Sequence, residues 1–397
     1  MKLNIEEQVI LDGQQGVTLQ KCLKSLVKYG EFFNADRLVP ISHGHLAMSS
    51  GANLFETYLD VFTKLAGAGM QFKVPTTINP RYFKEPRSFL EKLLFTRQDE
   101  LEKNFLAMGG IPNFSCAPYF GANVPIKDEI LAWAESSAVI YANSIIGART
   151  NRNSVVIDLF SAVLGVTPNF GLLLDENRKA DYQVTVDKGI IANPADFVLL
   201  GYYIGELLQD KIPYIKGIPG SVDDLKNMGA AMAASGGIGM YHVEGVTPEA
   251  KESGEKILKE GFKTLAIKSS NLTELKSRLA IGRKKVNLVF IGCPHLSLEE
   301  LIMVTRLMEG HRVKKRLWIN SAPEVIETFK KSKHYEAFQQ TGSHLLSICP
   351  YTMFNSPSIK KRHILTNSGK MRYYSPIYFG TLEECLEEAM GGGINDL

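Results

Sequence analysis

The sequence predicts an α/β protein of several domains with mainly parallel sheets around a central cleft. Short apolar runs alternate with helical periods through the second half of the chain, at a spacing that suits βαβ units. Helix starts are marked by capping signals, and three cysteines stand beside prolines at the ends of apolar runs. An opening helix is expected near residues 6–29. Strands are expected at 37–41, 71–75 and 170–174, then at 263–267, 286–291, 316–319 and 344–348. Helices are expected at 271–281, 297–309 and 322–331, with an acidic one at 382–390. Ser297 with Glu300 has the capping-box form, and Asn271 with Glu274 repeats it. Glycines at 236, 237 and 239 and at 391–393 punctuate the chain without forming a linker, and no internal repeat is present. The expected divisions are 1–205, carrying Cys116 and a polar block from Glu135 to Arg152; 206–345, carrying Cys293; and 346–397, carrying Cys349 and Ser368 to Lys370.

At 397 residues and 45% hydrophobic, the chain can fill sizeable cores. Forty-five basic against forty-two acidic residues give a net charge of +3, with no dense Lys/Arg run, so nucleic acid is not an expected partner. The opening Met1-Lys2-Leu3-Asn4-Ile5-Glu6-Glu7 turns acidic where a secretory signal would turn apolar. No run of about eighteen uncharged apolar residues follows, so a cytoplasmic protein without membrane association is expected. Five cysteines argue for reduced thiols rather than a disulfide frame.

Cys116 (Phe114-Ser115-Cys116-Ala117-Pro118), Cys293 (Ile291-Gly292-Cys293-Pro294-His295) and Cys349 (Ile348-Cys349-Pro350) share one local pattern. Strand carboxyl ends open onto the ligand crevice of an α/β protein, so three such thiols can converge there. The competing reading is that each packs as a small hydrophobe, which suffices for Cys22 and Cys385. Other polar strings interrupt the apolar rhythm. Ser42-His43-Gly44-His45 leads to Gly51-Ala52-Asn53, a loop able to offer backbone donors; its two histidines read as structural rather than as a metal pair. Val74-Pro75-Thr76-Thr77-Ile78-Asn79-Pro80 is a polar strand exit or an ordinary turn. The stretch from Glu135 through Asn143 and Ser144 to Arg149 and Arg152 reads equally as a carboxylate-binding element and as a capped helix with a solvated loop. Ser368-Gly369-Lys370 is not a nucleotide loop, because Met371 stands where a hydroxyl would hold magnesium. Such a turn can still cradle one phosphate or carboxylate.

Taken together, the 74–79 run, the block 133–152, Asp175-Glu176-Asn177-Arg178, the three cysteines and Asn367-Ser368-Gly369-Lys370 resemble the large subunit of the aconitase X family over almost the whole chain. The resemblance implies an aconitase-like dehydratase with an iron–sulfur cluster (4Fe-4S) held by Cys116, Cys293 and Cys349, and Lewis-acid help to the leaving hydroxyl. It implies a separate small subunit that supplies the swivelling domain and the general base, so that this chain alone is catalytically incomplete. It also implies substrate contacts at Gly51, Ala52, Asn53, Asn79, Pro80, Asn143, Ser144, Ser368, Gly369 and Lys370.

Two substrates divide the family: (R)-5-phosphomevalonate, dehydrated to trans-anhydromevalonate 5-phosphate in an archaeal mevalonate pathway, and cis-3-hydroxy-L-proline. A large subunit on its own, Pro80 after Asn79, and a phosphate-sized turn at 368–370 favour phosphomevalonate. Gly51-Ala52-Asn53 departs from the family's Gly-Val-Ser at that place. A zinc hydrolase using the same thiols and a non-catalytic scaffold subunit are the other classes to weigh.

Overall fold

Strands and helices alternate along the chain, and three fully parallel sheets result. The computed structural model describes residues 1–48, 56–81, 89–280, 282, 284–353 and 363–391, with only the backbone given for 89–96 and 352–353. The first region contributes β1 (Leu38–Pro40), β2 (His43–Leu46), β3 (Thr76–Ile78), β4 (Leu131–Trp133) and β5 (Val166–Pro168). Of these, β3-β2-β4 form one parallel sheet, while β1 and β5 pair antiparallel. The second region contributes β6 (Ala180–Val186), β7 (Pro213–Lys216), β8 (His242–Val243) and β9 (Leu258–Ile267), in the order β8-β7-β6-β9. The third contributes β10 (Leu288–Leu296), β11 (Arg316–Ser321), β12 (His344–Leu346), β13 (Ile364–Thr366) and β14 (Tyr378–Phe379), in the order β12-β11-β10-β13-β14.

Each sheet has its own apolar core. Leu23, Leu26, Phe62 and Phe105 centre the first, Leu200, Met228 and Tyr241 the second, and Val289, Ile319, Phe329 and Leu386 the third. Each fully buried Leu, Ile or Phe contributes about 1.5–3 kcal/mol relative to exposure, so the three cores dominate the stability of their regions. The divisions expected at 205/206 and 345/346 cut through the helix Pro194–Leu208 and through β12. Cys22 and Cys385 lie in the first and third cores. A buried Lys226 contacts Glu300 and lies 3.1 Å from Asp223, while Ser297 Oγ donates to Asp223 at 2.7 Å. That ionic cluster joins the helix Val222–Gly236 of the second region to the helix Leu298–Leu307 of the third.

Several expected elements shift for local reasons. The opening helix splits into Ile5–Leu11 and Val17–Phe32, with Gly13 and Gly16 at positive φ between them. At 71–75 the chain is not a strand. Pro75 has no N–H to give a ladder, and pairing begins one residue later at Thr76. At 170–174 the backbone is held in a turn, because Asn151 donates to the Phe170 carbonyl at 2.9 Å and accepts from Leu172 N–H at 2.7 Å. Asn271 lies inside the helix Ser269–Ala280 and caps back onto Lys268 N–H at 2.9 Å. The Ser297 capping box forms as expected, and the acidic helix is Leu382–Met390.

Candidate active site

The three similar cysteines meet where the first and third regions join. Cys116 follows a segment that runs beside β3, with Ile111 N–H on the Thr76 carbonyl at 2.9 Å and Ser115 N–H on the Ile78 carbonyl at 3.1 Å. Cys293 lies in β10, where the register against β11 breaks between Ile291 and Leu296. Gly292 makes this bend possible. Its φ is +104°, and a Cβ there would stand 2.1 Å from the Asn320 carbonyl oxygen. Cys349 follows β12, and its N–H donates to the Arg81 carbonyl at 2.9 Å. All three cysteines are half-buried residues. Burial pushes the Cys293 thiol up to about 12, offset in part by Lys370 and raised further by Cys349 and Glu135. Burial raises Cys116 too, and the Cys293 thiol adds to that. The thiols are thus near enough to feel one another's charge.

Beside them lies an ion pair. Lys370 Nζ contacts a Glu135 carboxylate oxygen and donates to Ser137 Oγ at 3.0 Å. The two side chains are only 10% and 12% exposed. Burial opposes the Glu135 charge, but Lys370 and the Asn79 amide outweigh it and hold the carboxyl at about 2. Burial opposes the Lys370 charge as well, and Glu135 outweighs it to raise the amine above its ordinary value. Asn79 Nδ2 donates to Glu135 at 2.7 Å, its Oδ1 meets His45 Nε2 at 3.1 Å, and His45 Nδ1 meets Thr77 Oγ1 at 2.9 Å. Since Asn79 Oδ1 can only accept, Nε2 of His45 carries the proton and Thr77 donates to Nδ1. Burial depresses His45 to about 4, so the ring is neutral and structural.

The expected contact residues divide between wall and support. Asn79 and Lys370 make the ion pair's contacts, Ser368 reaches the Cys293 carbonyl and Gly369 lines a cavity with Cys293, while Pro80 is buried beside Asn79. Ser368 caps the helix Gly369–Tyr374, accepts from Met371 N–H at 3.0 Å and donates to the Cys293 carbonyl. Gly369 lets that turn approach closely, since a Cβ would fall 2.8 Å from Val198 and 2.9 Å from Ala231. Asn143 stands apart. It donates to the Thr150 and Gly239 carbonyls and accepts from Thr150 N–H and Arg178, which uses all of its hydrogen-bonding capacity. Ser144 is likewise buried, accepting from Tyr241 N–H at 2.9 Å. In this structure Asn143 and Ser144 are thus bound to the protein's own backbone and to Arg178. Arg149 is paired with Asp175 and Asp128. Gly51, Ala52 and Asn53 lie outside the described residues. A cavity of about 390 Å³ opens onto Cys293, Ser368 and Gly369 between the helix starts at Ala195, Ser221 and Glu299.

The sequence pointed to no role for His295 or Asn320, while His45, read as structural, is held by Asn79 and Thr77. Glu135 was visible within the polar block, but its partner Lys370 is 235 residues away. Among the described residues, no three His, Cys, Asp or Glu side chains close around a single metal ion. Cysteine thiols beside a cation that offsets thiolate charge fit an iron–sulfur group, which cysteine thiolates hold.

Cys293 in β10, Cys349 after β12 and the 368–370 turn after β13 thus share one parallel sheet, and Cys116 comes to them from the first region. Three consecutive family descriptions match the chain: aconitase X first domain over residues 1–176, second domain over 162–277 and third domain over 286–391. The chain belongs to the aconitase X family. It is 37% identical to the phosphomevalonate dehydratase large subunit of Thermococcus kodakarensis, over 94% of this chain and 95% of that protein. It is 35% identical to the Methanosarcina mazei large subunit of the same name, over 99% and 98%. To the cis-3-hydroxy-L-proline dehydratase of Pseudomonas aeruginosa it is 30% identical, over 98% of this chain and 70% of that one. The crystal structure of Thermococcus kodakaraensis aconitase X in its holo-form superposes with a TM-score of 0.90 at 34% identity, covering 98% of this chain and all of that one.

Proposed function

We propose that this chain is the large subunit of a phosphomevalonate dehydratase, completed by a separate small subunit and working in the cytoplasm on a phosphorylated hydroxy acid. The observation that carries the reading is the meeting of three thiols beside the Lys370–Glu135 pair, in a chain of the same extent as the archaeal large subunits. The hydroxyproline dehydratases are the second reading. They are 30% and 28% identical, and this chain spans 70% and 69% of their length.

Cys116, Cys293 and Cys349 would hold an iron–sulfur cluster, read as 4Fe-4S, which when bound supplies Lewis-acid assistance to departure of a hydroxyl. The chain's own residues bind and orient. Lys370 spends two of its three ammonium donors on Glu135 and Ser137, and the third can meet a substrate phosphate or carboxylate. Asn79, Pro80 and the 368–369 turn would form the adjoining wall. A carboxyl held at about 2 is a weak base at neutral pH, and His45, held at about 4, is committed to Asn79 and Thr77. Both facts support a general base on the small subunit.

The test is turnover by the anaerobically reconstituted two-subunit enzyme on phosphomevalonate and on cis-3-hydroxy-L-proline. Dehydration of phosphomevalonate is the expected result. Preference for the hydroxyproline would move the assignment to the other branch, and no turnover of either would leave a scaffold role.

A further inference from the structure

Each of the three cysteines sits where regular pairing ends, so the spacing of the thiols depends on what ties the loops together. His295 touches all three loops. It lies two residues beyond Cys293, is fully buried, and places Nδ1 2.9 Å from Ser115 Oγ and Nε2 3.4 Å from the Ile348 carbonyl oxygen. Ser115 precedes Cys116, and Ile348 precedes Cys349. A carbonyl can only accept, so Nε2 carries the ring proton. Ser115 Oγ already accepts from Ala117 N–H at 3.0 Å, which leaves its own proton for Nδ1. Every donor and acceptor in this chain of contacts is matched in one tautomer.

Asn320 reinforces the same junction from β11. Its Nδ2 donates to the carbonyls of Gly292 and Ile348, each at 3.0 Å, and its Oδ1 accepts from Ile348 N–H at 2.9 Å. Asn320 thus joins the Cys293 and Cys349 loops within the third region. The imidazole reaches the Cys116 loop, which belongs to the first region and is 180 residues away in sequence.

We propose that His295 is a positioning residue for the iron–sulfur centre, fixing the Cys116 loop against the Cys293 and Cys349 loops at the separation the centre requires. The proposal rests on the cluster reading given above. Outer-shell partners of metal ligands typically change affinity by roughly 10–100-fold when removed, which sets the scale of the effect. A histidine that merely filled the core would lower thermal stability alike with and without the cluster, and would not change how firmly iron is held.

The experiment uses the full chain as wild type, His295→Ala, His295→Gln and Ser115→Ala, each reconstituted anaerobically with iron and sulfide. Folding is checked by circular dichroism, and iron release to a ferrous chelator is timed well below the unfolding midpoint. His295→Ala is expected to lose iron roughly 10–100-fold faster than wild type. His295→Gln, which keeps a donor for the Ile348 carbonyl, is expected to fall between the two. Ser115→Ala removes the Nδ1 contact and leaves the ring in place; it is expected to release iron faster as well, and it decides the matter if His295→Ala does not fold. Folded variants that load fully and release iron at the wild-type rate overturn this inference alone. A wild type that takes up neither iron nor sulfide overturns the cluster reading and this inference with it.

Discussion

Replacing Glu135 by Gln keeps the shape of the side chain and removes its charge, leaving the Lys370 ammonium among Ser137, the thiols and apolar neighbours without its counter-ion. Removing one partner of a buried ion pair costs about 3–5 kcal/mol, and the 10% and 12% exposure of these two side chains favours the lower end. Glu135 also caps the helix Ser136–Tyr141, which Gln can still do through its amide oxygen, so little is added for the cap. Because the pair joins the first region to the third, the loss should appear in the unfolding of the cluster-free chain as a midpoint fall of roughly 5–10 °C. Adding Lys370→Met removes the stranded charge, and the double variant should recover most of the loss. Scanning calorimetry of wild type, both single variants and the double variant gives the coupling. A Glu135→Gln midpoint within about 1 °C of wild type, or strict additivity of the two substitutions, would refute the claim that the pair is a buried tie between regions.

Lys370→Ala in the loaded two-subunit enzyme should leave the visible spectrum unchanged and lower kcat/KM on phosphomevalonate roughly ten- to a hundredfold, the scale of a charge-assisted contact, with Lys370→Met losing about as much; recovery by Met would mean that the stem's packing was the role. Asp158 is buried, with one carboxyl oxygen unpartnered and the other 3.0 Å from the Asn153 amide, and burial raises its carboxyl to about 8. The folded chain keeps that proton while the unfolded chain gives it up near 3.8, so this group makes stability fall as pH rises from about 4 to about 8, by up to about 6 kcal/mol at about 1.4 kcal/mol per pH unit. Asp158→Asn should flatten that slope and raise the unfolding midpoint at pH 8; an unchanged pH profile would show that the carboxyl is ionised. Gly292→Ala would set a Cβ against the Asn320 carbonyl oxygen at a φ of +104°, and chains that fold should bind markedly less iron, read by iron analysis beside wild type.

The sequence carried the architecture wherever local signals and tertiary structure agree. Ser297 with Glu300, the apolar period after it and the strand before it all sit in one βα unit, and that unit is observed with its capping box intact. It failed where long-range partners override local pattern. Phe170 to Leu174 reads as an apolar strand, but Asn151 captures its backbone as a turn. The repeated cysteine–proline pattern picked out three thiols, of which Cys293 lies within reach of the charge of both Cys116 and Cys349. What spacing could not supply was pairing across the chain: Glu135 with Lys370, and His295 with Ser115, are contacts between elements that no periodicity links. The same limit holds for Asn143 and Ser144, whose partners within the chain, Thr150, Gly239, Arg178 and Tyr241, no local spacing announces.

The most direct test of the account is iron and acid-labile sulfide per chain in five single Cys→Ser variants after anaerobic reconstitution. Ser in place of Cys116, Cys293 or Cys349 should abolish the colour and the bound iron. Cys22→Ser and Cys385→Ser, which alter thiols packed in the first and third cores, should keep both. Full iron and sulfide in Cys293→Ser would contradict the convergence on which the proposed function stands.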